Sequence, residues 1–315
     1  MNHIKDKTIV VTGGFGFIGQ HVVEKLLKLQ AKRIVILDSL DYGSENKNFL
    51  SDNRIHFQKI KLGSVKEEDI VNKISGMDYC IHLAAEKSKS KDIPDNILKC
   101  NINGTYVLLN ALIKAGVKKI IFTSSLYVYG KTNKKGFNEK DFLNPHTIFG
   151  VTKCAGEDLL KFMSQKYDLK YVCLRLFFVY GPKQYQGTGY KSVIIKNFQR
   201  LLKNEPPVIF GNGKQIQDHV YIDDVVNATI KSLENQYVNV CYNIGSNDRC
   251  SINDLIKKMM KIENKSMNIE YKDADETHNT IRFNNSKKAL DDGLLEIKTD
   301  LNKGLKLTLD WIKTQ

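Results

Sequence analysis

A glycine-rich run, Thr12-Gly13-Gly14-Phe15-Gly16-Phe17-Ile18-Gly19, separates an apolar stretch at 8–11 from a segment at 21–27 whose apolar residues recur at helical spacing. Phosphate binding is the chemistry open to such a run. Glycines at 13, 16 and 19 permit a tight turn and a close backbone approach, and the helix start at Phe17 and Ile18 offers N–H groups to the charge of a pyrophosphate. Asp38 follows Gly19 by 19 residues, ends the next apolar run and precedes Ser39. A carboxylate there bonds a ribose diol and repels a 2′-phosphate, so the combination selects NAD over NADP.

No metal chemistry is expected beside it. The six cysteines, at 80, 100, 154, 173, 241 and 250, include no Cys-x-x-Cys pair, and no His/Cys cluster has ligand spacing. They read as small core residues in a reducing compartment.

The elements that must hold the glycine run and Asp38 alternate strand and helix. Apolar runs at 33–38, 55–60, 79–83, 119–124 and 170–177 read as strands, and segments at 67–74, 102–115 and 149–167 as helices. Repeated β-α units with apolar strands imply a parallel sheet covered on both faces. The fold class is therefore α/β, a Rossmann-type doubly wound parallel sheet. After Pro182 the rhythm changes. Residues 184–190 read as a loop, 192–202, 223–233, 251–262 and 303–311 as helices, and 206–210 and 241–244 as short strands. This is expected to be a smaller C-terminal α+β substrate lobe, which divides the chain at 1–182 and 183–315 with the two lobes interleaved. Trp311 is expected to anchor the last helix.

Composition narrows the partners. The chain has 315 residues, 42% hydrophobic and 26% charged, with a formal net charge of +13. Of its 48 basic residues 42 are dispersed lysines, and the six arginines stand apart at 33, 54, 175, 200, 249 and 282. A reader of nucleic acid would need clustered arginine forks, so no nucleic-acid partner is expected. No apolar stretch approaches the roughly 18 residues of a membrane helix. The first residues lead into a strand rather than a signal peptide. The expected location is cytoplasmic, with no membrane partner.

The Gly-x-x-Gly-x-x-Gly spacing resembles that of the short-chain dehydrogenase/reductase superfamily, in its extended branch that acts on nucleotide-linked sugars. Further stretches agree in the same order. His82-Leu83-Ala84-Ala85 is similar to the strand-four motif that lines the cofactor, and Asn101-Ile102-Asn103-Gly104-Thr105 to the Asn-x-x-Gly-Thr motif. Thr123-Ser124-Ser125 resembles the catalytic strand, and Arg175 through Tyr180-Gly181-Pro182 the later strand. Gly211 to Gln215 and Asp218 to Asp224 resemble the substrate-lobe signature. The resemblance runs from about residue 8 to Trp311. It implies that Leu83, Ala84, Ala85, Asn101, Ser124 and Lys153 join Gly13 to Gly19 and Asp38 around NAD. Lys87 stands where 4-epimerases of the family place a lysine near the cofactor. Ser64 replaces the family's Asp near adenine.

In that family a Tyr-x-x-x-Lys pair works with a Ser or Thr. The phenolate takes the sugar hydroxyl proton, while the lysine holds the nicotinamide ribose and lowers the phenol's pKa. The resemblance places Lys153 and Ser125 in these roles, with Ser125 on the C4 hydroxyl. The tyrosine position, however, is Phe149. Two readings stand. One is a Tyr-to-Phe variant able to hold substrate unreacted. The other is a natural divergence, with Tyr127, Ser125 or His146 as a displaced base or with no catalysis at all. The acid pair of the family's 4,6-dehydratases is replaced by Leu126 and Tyr127, which favours a UDP-sugar 4-epimerase. A 4-ketoreductase or 4-dehydrogenase comes next, and then a 4,6-dehydratase. A non-catalytic NAD- and sugar-nucleotide-binding protein is the reading from another class.

For the nucleotide-diphosphate sugar, the resemblance implies contacts from Ser125, Tyr127, Phe178, Gln217, Tyr221 and Arg282. Phe178 replaces an Asn and Gln217 an Arg, so Arg282 would carry more of the diphosphate. A homodimer is expected through the helices at 102–115 and 149–167. Leu108, Leu112, Leu159, Leu160 and Met163 either serve that interface or lie buried within one subunit.

Overall fold

The computed structural model describes residues 2–41, 46–87, 95–130, 136–184, 192–274 and 281–315. Its strands are β1 (Thr8–Thr12), β2 (Arg33–Asp38), β3 (Ile55–Lys59), β4 (Tyr79–His82), β5 (Lys119–Ser125), β6 (Lys170–Leu176), β7 (Phe178–Tyr180), β8 (Val208–Phe210), β9 (Ile216–Tyr221), β10 (Val240–Ile244), β11 (Arg249–Ser251), β12 (Glu270–Lys272) and β13 (Ile281–Arg282). Its α-helices are α1 (Phe17–Lys28), α2 (Lys47–Leu50), α3 (Glu67–Ile74), α4 (Asp95–Leu98), α5 (Gly104–Lys114), α6 (Ile148–Tyr167), α7 (Val193–Leu202), α8 (Ile222–Lys231), α9 (Ile252–Ile262), α10 (Lys287–Asp291) and α11 (Leu301–Lys313).

Seven strands form the main sheet in the order β10-β6-β5-β4-β1-β2-β3. The pairs β1–β2, β2–β3, β1–β4 and β4–β5 are parallel. Val10, Val11, Ile34, Ile36, Ile81 and Ile120 are fully buried or nearly so, as strands covered on both faces must be. The strand order reverses between β1 and β4, and at such a switch point a crevice opens beyond the strand ends. The glycine run leaves β1 at this point.

The chain forms two compact units. The first comprises Met1–Gly130, Leu143–Arg175 and Val226–Tyr242, and the second Lys131–Phe142, Leu176–Val225 and Asn243–Gln315. This is more interleaved than a single boundary at residue 182 conveys. The run at 241–244, assigned by sequence to the smaller lobe, is β10 at the edge of the main sheet. Residues beyond 182 thus return to complete the first unit. The sequence does not mark this return, because a five-residue apolar strand reads the same in either sheet. Of the loop expected at 184–190, only residue 184 lies within the described residues.

The second unit carries a sheet in which β9 pairs with β11, β13 and β7. Its last helix, α11, is held by fully or nearly buried Leu305, Leu309 and Ile312, with Trp311 only half-buried. Among the described residues no helix is long and apolar enough to cross a membrane.

Candidate active site

In the first unit the glycine run forms a phosphate cradle. Gly13 takes φ +70°, and a Cβ there would lie 2.8 Å from the Ala84 nitrogen. A Cβ at Gly19 would collide with the Gly13 carbonyl. Gly16 is the N-cap of α1 and has no side chain to close the helix end, so the first N–H groups of Phe17 and Ile18 keep their capacity for an anion. Asp38, buried at the end of β2, accepts from the Phe15 N–H at 2.9 Å and from the Leu40 N–H at 2.8 Å. Each carboxylate oxygen retains a second lone pair for a ribose hydroxyl. The residues therefore fit a dinucleotide without a 2′-phosphate. Ser39 follows Asp38 into the loop, and Ser64 is exposed in the turn after β3.

A directed hydrogen-bond chain supports the floor of this cradle. The Ala84 N–H donates to Thr12 Oγ1 at 3.1 Å, and Thr12 Oγ1 lies 2.6 Å from His82 Nδ1. On the other side His82 Nε2 lies 3.0 Å from Thr105 Oγ1, which donates to the Asn101 carbonyl at 2.6 Å. An amide nitrogen can only donate and a carbonyl can only accept, so the two ends fix the middle. His82 carries its proton on Nε2 and accepts from Thr12 on Nδ1. Burial, with the charge of Lys153 second, pushes its pKa down to about 3, so the ring is neutral. His82, a buried residue of β4, thus ties β1, β4 and the start of α5 together.

Asn101 has a similar positioning task. Its Oδ1 accepts from the Glu86 N–H at 2.7 Å, and its Nδ2 donates to the Glu86 carbonyl at 3.0 Å and to Thr152 at 3.1 Å. Both amide hydrogens are thus used inside the protein. Asn101 fixes the segment Leu83, Ala84, Ala85 and Lys87 against α6, and has no donor left for a cofactor.

Helix α6 carries Phe149 and Lys153, the positions to which the resemblance gives catalytic roles. Thr147 caps it by accepting from the Gly150 N–H at 3.0 Å, which puts Phe149 in the first turn and Lys153 one turn on. Lys153 is buried and donates to the Thr123 carbonyl at 2.7 Å. Its ammonium sits 4.8 Å from the Phe122 ring centre and 5.6 Å from that of Phe149. Burial first, then the charge of Lys87, push its pKa down to about 8. Lys87 itself reaches solvent, yet surrounding protein lowers its pKa as well. Ser125 is buried at the end of β5, and its Oγ accepts from the Tyr127 N–H at 3.4 Å. Phe149 meets Tyr127 edge to face at 6.2 Å. Ser125, Tyr127, Phe149 and Lys153 are thus brought together within the first unit, and His146 is exposed just before α6.

Ser124, assigned to the cofactor by resemblance, also has a partner inside the protein. Its hydroxyl donates to Glu157 Oε1 at 2.6 Å. Glu157 continues the stripe of Phe149 and Lys153 by one more turn of α6 and receives Arg175 at 2.9 and 2.7 Å. Arg175 also donates to the Tyr129 hydroxyl at 2.7 Å. Burial raises the Glu157 pKa, but the bonds from Arg175 outweigh it and the net shift is downward. Sequence reasoning did not single out this buried pair. Its signal is a lone arginine in an otherwise apolar strand, since such a charge must find a partner. Glu157, Cys173 and Cys241 present ligand atoms within 4.8 Å of one another, but the guanidinium of Arg175 already occupies the carboxylate.

In the second unit, β9 alternates its side chains, so Gln217, His219 and Tyr221 share one face while Asp218 and Val220 point the other way. Phe178 is the register partner of His219, Tyr180 of Tyr221, and Arg282 of Gln217. The sheet thus gathers Phe178, Gln217, Tyr221 and Arg282 from 105 residues of chain. Phe178 and Gln217 are half-buried. Tyr221, buried against Tyr180 with ring centres 5.7 Å apart, packs this face rather than presenting its ring. Its pKa is pushed up to about 12, by burial first. Below the face, Asp218 accepts from Ser246 twice at 2.7 Å and from the Asn247 N–H at 3.0 Å. Burial still pushes its pKa up to about 6.

Known proteins resemble this chain in sequence and in fold. Residues 9–245 match the profile of the NAD dependent epimerase/dehydratase family. A UDP-glucose 4-epimerase from Thermotoga maritima, solved with UDP-glucose, is 33% identical with a TM-score of 0.89, covering 97% of this chain and 98% of that one. A Tyr-to-Phe mutant of UDP-glucuronic acid 4-epimerase from Bacillus cereus, in complex with UDP-4-deoxy-4-fluoro-glucuronic acid and NAD, is 27% identical with a TM-score of 0.88, covering 97% and 99%. A dTDP-D-glucose 4,6-dehydratase from Dictyostelium discoideum is 31% identical over 274 residues, 81% of this chain and 62% of that protein.

Proposed function

The chain belongs to the NAD-dependent epimerase/dehydratase family, and from that premise we propose that it is built as a nucleotide-sugar 4-epimerase whose base position, Phe149, lacks the reacting oxygen. The observation that carries the reading is the placement of the Phe149 ring. It lies beside Lys153, and Ser125 and Tyr127 share its unit, in an arrangement complete except for one hydroxyl. Gly13 to Gly19 would hold the pyrophosphate, Asp38 the adenosine ribose, and Lys153 the nicotinamide ribose. Bound NAD supplies the hydride acceptor and donor of the family's chemistry. Ser125 would hydrogen-bond the sugar C4 hydroxyl. Lys153, protonated below about pH 8, would stabilise a phenolate at position 149 if one were present. Phenylalanine has no proton to exchange there, so the chain as it stands would bind a nucleotide sugar and turn it over poorly. Leu126 and Tyr127 support an epimerase over a dehydratase, since Leu126 cannot transfer a proton. A 4-ketoreductase would use the same groups once. A purely binding protein is favoured by one observation, the missing phenol itself.

The nucleotide sugar would lie on the β9 face of the second unit, with Gln217 and Arg282 toward the diphosphate. A homodimer is proposed through α5 and α6. Of the five residues named from sequence only Leu159 supports it, because Leu108, Leu112, Leu160 and Met163 are buried within the first unit's own core. Further support comes from a recess lined by Leu98, Ile102, Tyr106 and Leu159 and from the exposure of Val151 and Phe162 on α6. The six unpaired cysteines suit a cytoplasmic location.

Phe149→Tyr is the test. With UDP-, dTDP-, GDP- and CDP-hexoses, turnover should rise by about 10²–10⁴, the usual worth of a general base. No gain with any of them, in a variant that still retains NAD, would leave the binding protein as the better reading.

A further inference from the structure

Two buried histidines of this chain contrast. His82 has partners on both ring nitrogens. His219, on β9, is 5% exposed, and its Nε2 has no hydrogen-bond partner among the described residues. Burial pushes the pKa of His219 down to about 4, so the ring is neutral and carries one N–H and one lone pair. Leaving such a group unpaired in the folded protein carries a desolvation cost that a ligand's hydrogen bond would offset. The surroundings are aromatic. Phe178 lies 5.6 Å away and Tyr180 6.2 Å away between ring centres. Of these two rings only Phe178 is half-buried. Gln217, two residues earlier, shares the face.

Two polar groups that the family resemblance places on this face are missing, since Phe178 stands for an Asn and Gln217 for an Arg. The unpartnered nitrogen lies directly across from one of those positions, on the register partner of Phe178. We propose that His219 is a substrate-recognition residue that hydrogen-bonds an oxygen of the bound nucleotide sugar and so replaces, from the neighbouring strand, the contact Phe178 cannot make. This rests on the nucleotide-sugar reading above. It makes the site of this chain a distinct specificity variant, in which a neutral imidazole framed by aromatic rings does work that a primary amide would do elsewhere.

The test titrates the NAD-containing protein with UDP-glucose and with UDP by calorimetry. Phe149 lets the sugar nucleotide be titrated with little turnover. His219→Phe fills the same volume and removes the orphaned nitrogen, so the variant should fold at least as stably. UDP-glucose affinity should fall by about tenfold, the worth of one lost hydrogen bond with its partner left unpaired, while NAD content stays the same. His219→Asn should recover part of the loss. An equal fall for UDP places the contact on the diphosphate, and a fall for UDP-glucose alone places it on the sugar. In the unmodified chain, the ¹⁵N resonances of the His219 ring should shift on saturation with UDP-glucose. Unchanged affinity in His219→Phe, or a ring signal that does not move, would overturn the proposal and leave His219 as a core residue. If the unmodified chain retains NAD yet binds neither UDP nor UDP-glucose, the nucleotide-sugar reading falls and takes this inference with it.

Discussion

The surroundings of the glycine cradle in the first unit and the β9 face of the second treat their polar groups in opposite ways. Around the cradle of the first unit, Thr12, His82, Thr105, Asn101 and Thr152 are each committed to a partner inside the protein. Behind the reaction groups, Glu157 and Arg175 close the same kind of circuit with Ser124 and Tyr129. On the β9 face of the second unit, Gln217 replaces a charge, Phe178 replaces an amide, and His219 keeps a nitrogen unpaired. A satisfied network fixes geometry in advance, which suits a cofactor that every member of a family must hold alike. An unsatisfied group keeps hydrogen-bonding capacity for a ligand, and that suits the substrate contact proposed for the second unit. The difference teaches that this chain's individuality lies in the second unit, apart from the one lost hydroxyl at Phe149.

Three measurements would break or sharpen that contrast. The largest effect is expected from Glu157→Ala, which strands the buried Arg175 guanidinium. Such a loss should cost about 3–5 kcal/mol in urea unfolding, and Glu157→Gln, which keeps hydrogen-bonding capacity, should cost less. A change under about 1 kcal/mol for the alanine variant would mean that the first unit is not held by its internal circuits.

Next comes the pH dependence of the second unit. Asp218 has a folded pKa of about 6 against an ordinary value of 3.8. The folded form therefore holds its proton more tightly than the unfolded chain. The resulting stability is fully present below pH 3.8 and is lost as pH rises through about 6. Over that window the contribution amounts to about 3 kcal/mol, and it should be missing from the pH slope of Asp218→Asn in chemical denaturation. Equal slopes would show that the three donors around Asp218 already cancel its burial.

The smallest effect is expected from Gln217→Arg, which restores a cation beside the backbone position of Arg282. UDP binding should tighten by roughly three- to tenfold at low salt and lose much of that gain at high salt. A gain that does not depend on salt would argue against a charged diphosphate at this place.

Much of the first unit was legible without coordinates. The glycine spacing, the acid ending β2 and the strand rhythm are short-range features, and the missing phenol is a single letter at a recognisable position. The second unit was legible only as a set of motifs. Tyr221 reads as a ligand residue by its motif, yet it is buried against Tyr180 by a strand pairing that spans 41 residues. Ser124 reads as a cofactor residue by its motif, while the acceptor its hydroxyl meets, Glu157, lies 33 residues away and is not marked by any local spacing. His219 carried no signal at all, because a histidine in an apolar strand looks the same whether its nitrogens are satisfied or not.

By itself, then, the sequence determined the α/β class, the cradle with its preference for NAD, and the absence of an oxygen at Phe149. These follow from backbone conformation and residue type within a few turns or strands, where spacing translates directly into geometry. Only the tertiary structure decided which buried polar groups are paired. It joined Glu157 to Arg175 and His82 to Thr12 and Thr105, and it set Phe178, Gln217 and His219 together on β9 and its neighbour. Whether a buried donor or acceptor meets its partner depends on packing and strand register between distant segments, and no local spacing in the chain records either.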